Sequence, residues 1–370
     1  ISITGDEVIN MSGKPGVTVL VDGKPLQMES RELSQYLRAL PGAAIDKIEI
    51  ISNPSARYDA QGNAGIINIR LKKNKVKGTN GNLSLSYTQQ QHYRSNANLG
   101  LNHRRNRLNL FLQLASSHNL QHTRGYVNRR LAGANGETIL DNKTIDKDKF
   151  DTRILRTGID FYKSKKSSFG LLFNGGYGRN PFNSPGSTAV SSNGSIDSTL
   201  QTSNNNYFKN ARNALNLNYT FEDSTGHRLE ANADYTGFQN SNRMSLNTLY
   251  LNRLNEPNGS TDERQFLQTN IRLYTLKADY SRPIKKWKAA MEAGWKSTWV
   301  ETANNLAAAI ATGTRMKPDT ARSNNFLYRE TIQAAYVNVK RTQHAIEWQL
   351  GLRAEYSALK GISTDLRGNK

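Results

Sequence analysis

The stretch NPSARYDAQGNAGIINIRLKK, Asn53 to Lys73, divides the chain into two grammars. On its N-terminal side, short apolar runs, a helical pattern and turn signals follow one another as in a small mixed unit. On its C-terminal side, short runs alternating apolar and polar residues repeat to Lys370. Within the stretch, Asn53-Pro54 breaks what precedes it. Residues 54–65 are rich in Pro, Ser, Asp, Gly and Asn and read as an exposed loop. Gly65 opens a strand, Ile66 to Leu71, and basic Lys72, Lys73, Lys75 and Lys77 lead into the repeating region.

Before the stretch, Val17 to Val21 (VTVLV) is a buried-strand signal closed by Asp22-Gly23, a turn signal. Leu33, Tyr36, Leu37 and Leu40 fall on one face of a predicted helix over 30–40, with Ser30 as N-cap and Pro41-Gly42 as the stop. Ile45 to Ile51 (IDKIEII) suits a strand with one wet face. Strand, helix, strand, loop and strand make one small α+β unit.

After it, Leu108, Leu110, Leu112 and Leu114 interleave with Asn109, Phe111 and Gln113. Leu215, Leu217, Tyr219 and Phe221 interleave with Asn216, Asn218 and Thr220. Leu229, Ala231, Ala233 and Tyr235 oppose Glu230, Asn232, Asp234 and Thr236. One face is apolar and the other is often ionised. Connections alternate in length. Short ones fall near 103–107, 163–167, 222–227, 281–286 and 341–345, and long ones near 124–149, 179–206, 251–264 and 300–325. Short turns at one end and long loops at the other are the pattern of an outer-membrane barrel. Aromatics flank the short turns. Phe161 and Phe169 bracket one, Tyr219 and Phe221 precede another, and Tyr280 and Trp287 bracket a third; they predict one interfacial girdle on the periplasmic side. About eleven strands of roughly ten residues or more are expected. An odd count, ending on an upward strand, suggests further strands beyond this chain.

The bulk numbers agree. Mean hydropathy is −0.68 and 36% of the 370 residues are hydrophobic. No run approaches the ~18 apolar residues of a membrane helix, whereas barrel strands alternate and keep the average low. Formal charge is +20, from 50 Lys+Arg against 30 Asp+Glu. Nucleic acid would call for one basic face. Here the cations gather in short turns, at Arg104, Arg105 and Arg107, at Lys163, Lys165 and Lys166, and at Lys285, Lys286 and Lys288. Anionic lipid headgroups suit such turns, as does plain solvation. There is no cysteine, hence no disulfide framework or thiolate metal site. The start at Ile1 reads as a processed or truncated end.

Three motifs in order resemble a TonB-dependent outer-membrane receptor of the Bacteroidetes-type outer-membrane β-barrel family. Val17 to Leu26 (VTVLVDGKPL) resembles that family's "VLVDG-P" strand and turn. Ile45 to Ile51 resembles its "KIEVI" strand. Asn53 to Ile69 resembles "NPSA-YDA-G-AGIINI", the most specific of the three. The resemblance implies a mainly β fold, an antiparallel transmembrane β-barrel of 22 strands in full length with about half present. Residues 1–77 would be the C-terminal part of an α+β plug domain and 78–370 the N-terminal part of the barrel. It implies the outer membrane, with lipid and lipopolysaccharide as surroundings, a bulky or scarce nutrient as ligand, and a surface lipoprotein as a further partner. It also implies a TonB-type energy-coupling protein, acting through a segment this chain does not contain.

On the resemblance, the loop residues Arg57, Tyr58, Asp59, Gln61 and Asn63 would face ligand; the competing reading bonds the same polar groups to the barrel wall. Gly23, Gly62 and Gly65 read as structural glycines of the plug. Arg31, Glu32 and Arg38 would pair with wall residues such as Glu230, Asp234, Glu292 or Arg353. Asp141, Asp146, Asp148 and Asp151 form an acidic cluster interleaved with Lys143, Lys147 and Lys149, without cation-loop spacing. The histidines, among them His92, His103, His118 and His122, lack metal-ligand spacing. Neither metal, cofactor nor catalytic constellation is expected, so the chain reads as no enzyme. Three functions remain: a plugged importer, an outer-membrane scaffold with a permanently seated plug, and a soluble basic β-protein that binds polyanions.

Overall fold

Two sheets of opposite character account for the architecture. The computed structural model describes residues 2–3, 9–11, 16–21, 23–25, 33, 37, 40, 42, 45–52, 54–58, 65–71, 77–133, 136–192, 194–312, 315–343 and 346–365. The N-terminal strands are β1 (Ser2–Ile3), β2 (Ile9–Asn10), β3 (Thr18–Val21), β4 (Lys24–Pro25), β5 (Ile45–Ile51) and β6 (Ile66–Leu71). β1 pairs with β2, and the other four form a sheet in the order β4-β3-β6-β5. β3 and β6 run parallel through its centre; β3 reads as a continuous apolar run, as a doubly covered strand does, whereas β6 carries Asn68 and Arg70 between its apolar residues. Val19, Val21, Ile67, Ile69 and Leu71 are buried there with Leu33, and Leu37 and Leu40 pack against them. Leu33 and Leu37 are helical and Leu40 lies in a bend; the other residues of the predicted helix, with Arg31, Glu32 and Arg38, lie outside the described residues.

The second sheet is one antiparallel meander. Its strands are β7 (Gly78–Gln89), β8 (Tyr93–Arg105), β9 (Leu108–Gly133), β10 (Gly136–Tyr162), β11 (Ser167–Ser192), β12 (Ser195–Glu222), β13 (Arg228–Leu251), β14 (Pro257–Ile284), β15 (Ala289–Thr312), β16 (Arg315–Pro318), β17 (Asn324–Gln343) and β18 (Ile346–Asp365). Each pairs with its sequence neighbour except that β16 folds back on β15, leaving the order β18-β17-β15-β14 and so on to β7. Eleven strands therefore cross the sheet, as the alternation predicts. The short connections also fall where expected. In the turn after β12, the Asp223 carboxylate accepts from the backbone of Thr225 and His227 at 2.9 and 3.0 Å.

The long loops are a correction. Residues 124–133, 136–149, 179–192 and 195–206, and most of the described residues of 251–264 and 300–325, are strand, and β9 to β15 reach 24–28 residues each. The register of β11 on β12 runs unbroken from Ser167↔Phe221 to Val190↔Ser198. The ladder supplies the order there, and beyond the lipid a strand needs no apolar face, so Asn, Ser and Thr on both faces disguised it as loop. The four aspartates consequently sit on β10, not in a loop, and they do not converge. Asp148 accepts from Asn180 at 3.3 Å, Asp146 from Ser184 at 2.5 Å and Asp151 from Arg179 at 2.7 Å.

Candidate functional site: a loop seated on the inner wall

Ala115 and Ile154 belong to the same buried cluster as the core of the small sheet. They face each other across β9 and β10. This fixes which side of the great sheet is inner, because side chains alternate faces along each strand. On the inner face lie Asn109, Asp160, Asn216, Glu230, Asp279 and Tyr336. On the outer face lie Phe161, Leu171, Leu217 and Trp295, all exposed.

The segment Pro54–Tyr58 turns back on itself, Tyr58 N–H donating to the Ser55 carbonyl at 3.0 Å, and presents Arg57 to this wall. The Arg57 guanidinium donates to Glu230 Oε2 on β13 at 2.6 Å and lies 3.2 Å from Asp279 Oδ2 on β14. Each carboxylate has further partners. Arg228 forks onto the other oxygen of Glu230. Lys277 Nζ lies 3.0 Å from Asp279, and the Tyr336 hydroxyl from β17 donates to Asp279 Oδ1. On β18, Arg353 donates to the Ala56 carbonyl at 3.4 Å, and a Cβ at Gly351 would sit 3.0 Å from the Ala56 methyl. Three strands thus grip the loop at Ala56 and Arg57, and β17 braces Asp279 behind it. Asp279 is 6% exposed, so removing its partners would strand a carboxylate in a poorly hydrated place. Burial works against the Arg57 cation, but Asp279 and then Glu230 more than offset it, and the guanidinium stays charged well above its usual range. Burial pushes the Tyr58 phenol up.

Beneath this loop a second network ties the small sheet together. Asn68, 1% exposed, accepts the Gly23 N–H at 2.9 Å and donates to Glu49 at 2.7 Å. Arg70 donates to the same Glu49 oxygen at 2.9 Å. Lys47, first, with Arg70 and Asn68 holds the Glu49 carboxyl down to about 2 against the cost of burial. Gly65 has φ +110° and its missing side chain leaves room for the Ile51 carbonyl, 2.8 Å from where a Cβ would stand.

Of the sequence candidates, Arg57 and Tyr58 are placed at the wall, and Asp59, Gln61, Gly62 and Asn63 lie outside the described residues. Glu230 and Arg353 do meet the N-terminal unit, through Arg57 and Ala56. Asp279, Lys277, Tyr336 and Arg228 were not anticipated. Phe161, Phe169 and Tyr219 stand directly opposite one another in succession, with the Phe169 and Tyr219 rings 4.7 Å apart. Phe221 and Tyr280 share that face one step nearer the turns, and Trp287 is 61% exposed in the turn itself.

Residues 219–370 match the model of the outer membrane protein beta-barrel family. No curated protein sequence matches the chain. Among solved structures it is similar to the ferric citrate transporter FecA in its unliganded form, at 11% identity and TM-score 0.37, over 92% of this chain and 61% of that one. It is also similar to the ferric yersiniabactin uptake receptor FyuA from Yersinia pestis, at 11% identity and TM-score 0.35, over 93% of this chain and 63% of that one. The chain therefore spans about three-fifths of the length of these two. With the family match and a meander that is apolar outside and polar inside, the reading as a soluble polyanion binder falls away.

Proposed function

We propose that this outer-membrane β-barrel protein is the plug end and first half of the barrel of a TonB-dependent receptor that imports a nutrient too bulky or too scarce for an open pore. Residues 1–77 act as the rear of the plug and 78–370 as the barrel wall. The observation that carries the reading is the Arg57 seat. A loop of the motif-bearing segment is held on the inner face by charged groups, which can exchange partners with water or ligand, beside an apolar contact of the small sheet with Ala115 and Ile154. Ligand meets the Arg57–Asn63 loop from outside, and a periplasmic energy-coupling protein draws the plug off Glu230 and Asp279. One observation favours a second reading, the scaffold with a fixed plug: Arg57 spends its charge on two wall carboxylates instead of facing outward.

The two separate on one experiment. The chain is free of cysteine, and a Cβ on Gly351 would stand 3.0 Å from that of Ala56, so an outward shift of about 0.5 Å brings the pair to bridging distance. Ala56→Cys with Gly351→Cys in the full-length protein, oxidised in living cells, should abolish growth on nutrient-limited medium to the level of the deletion strain, and reductant should restore it. Unimpaired growth with the bridge closed would establish the fixed plug.

A further inference from the structure

Following the register around the outer face shows two aromatic belts. The lower holds Phe161, Phe169 and Tyr219. The upper runs from Tyr87 and Tyr93, stacked on β7 and β8, through Tyr177 on β11 to Tyr235, Tyr274 and Trp299. These last three stand directly opposite one another on β13, β14 and β15. It ends at Tyr356 on β18. Phe169 and Tyr177 are eight residues apart, as are Trp348 and Tyr356. That is ~26 Å of strand, and a tilt near 40° brings it to ~20 Å of height, close to the apolar band of a barrel.

Immediately beyond the upper belt the outer face turns basic. Arg179, Lys209, Arg272, Arg329 and Lys360 are all exposed there, and Arg153 stands opposite Tyr177 in the belt itself. Arg179 lies two residues past Tyr177, and Arg272 two residues from Tyr274 on the same side of the belt. Two pairs are set against themselves: Arg179 stands directly opposite Lys209, and Arg329 directly opposite Lys360. Like charges facing each other across strands destabilise a sheet. Two carboxylates share this level: Asp151 takes Arg179 at 2.7 Å, and Glu301 takes Arg329 at 2.8 Å and Arg272 at 3.6 Å. Cations remain in excess.

We propose that this collar docks the phosphate groups of an outer-leaflet glycolipid, its acyl chains lying along the apolar band and its phosphates bridging Arg179 with Lys209 and Arg329 with Lys360. The source is a lipid and not free phosphate, because the cations follow the belt down from β11 to β18 as the tilted strands step past the membrane surface. A site for a soluble anion has no reason to track that boundary.

The test uses the full-length protein in detergent, titrated with bisphosphorylated lipid A, with the same lipid stripped of phosphate, and with inorganic phosphate as competitor. The variant Arg179→Gln, Lys209→Gln, Arg329→Gln, Lys360→Gln should bind lipid A at least tenfold more weakly, since each cation near an anionic surface is worth roughly fivefold. Arg329→Gln with Lys360→Gln alone, the lighter change, should lose part of this. A control with the same charge change in the turns, Lys163→Gln, Lys165→Gln, Lys166→Gln, Lys286→Gln, should stay within twofold. Four results would each overturn the proposal: unchanged binding by the collar variants, an equal loss in the turn control, equal binding of the stripped lipid, or displacement of lipid A by millimolar phosphate.

Discussion

The small sheet and the great sheet are built from the same element and hide opposite faces. In the first, Val19 and Ile67 are 3% and 7% exposed, and the polar groups that enter, such as Asn68, arrive with partners. In the second, Leu217 and Leu352 are 54% and 76% exposed while Asn216, Asp279 and Asn338 are buried. Period-two alternation says that a strand has two kinds of face. It does not say which solvent each meets. Water outside gives one answer and hydrocarbon outside gives the other.

The comparison breaks first at the lipid face. Leu217→Arg should cost about 2–4 kcal/mol of folding free energy in a bilayer, and Asn218→Arg on the inner face less than half of that, by urea titration in vesicles. Equal costs would invert the assignment of faces. Next comes packing. Ile67→Ala should cost about 2–4 kcal/mol, read as faster amide exchange in β3 and β6, whereas Leu217→Ala should cost ~1 kcal/mol or less, because fluid acyl chains refill the space that a protein core cannot. At the seat, a methyl on Gly294 would stand 2.5 Å from the Tyr336 ring and 2.7 Å from Asp279. Gly294→Ala should therefore cost about 1–3 kcal/mol and loosen residues 54–58 in hydrogen exchange.

Acid separates the two sheets further. The Glu49 carboxyl is lowered from 4.5 to about 2, so its contribution is complete above pH 4.5 and is lost as pH falls through 2. Protection of the Gly23 and Asn68 amides, taken relative to the intrinsic exchange rate at each pH, should be high at pH 5 and fall at pH 2, with that of the β11–β12 ladder unchanged. The smallest effect is expected at Lys165→Gln, within 0.5 kcal/mol, roughly the scatter of surface substitutions.

Much of this is legible in the sequence. Leu108 to Leu114 and Leu215 to Phe221 announce strands by alternation, and VTVLV, IDKIEII and IINIRL became β3, β5 and β6. What escaped did so for physical reasons. Ser195 to Asn213 has no apolar stripe because neither face meets a core or lipid, so its pairing shows only in the register. Arg57 and Glu230 are 173 residues apart, and no local pattern joins them. The upper belt escaped because no turn marks it: on tilted strands its members fall at a different distance from each hairpin.

From Tyr177 to Ser192, β11 continues for fifteen residues past the belt, ~50 Å of strand standing above the membrane. Proteases, phages and antibodies reaching the cell meet this palisade first. A protease needs slack, unpaired backbone to thread through its cleft, and here nearly every peptide group of the wall is already engaged by its neighbours. Digestion of intact cells should nick only the crowns, such as Asn252 to Glu256, where Leu254 is 76% exposed, and leave the fence standing.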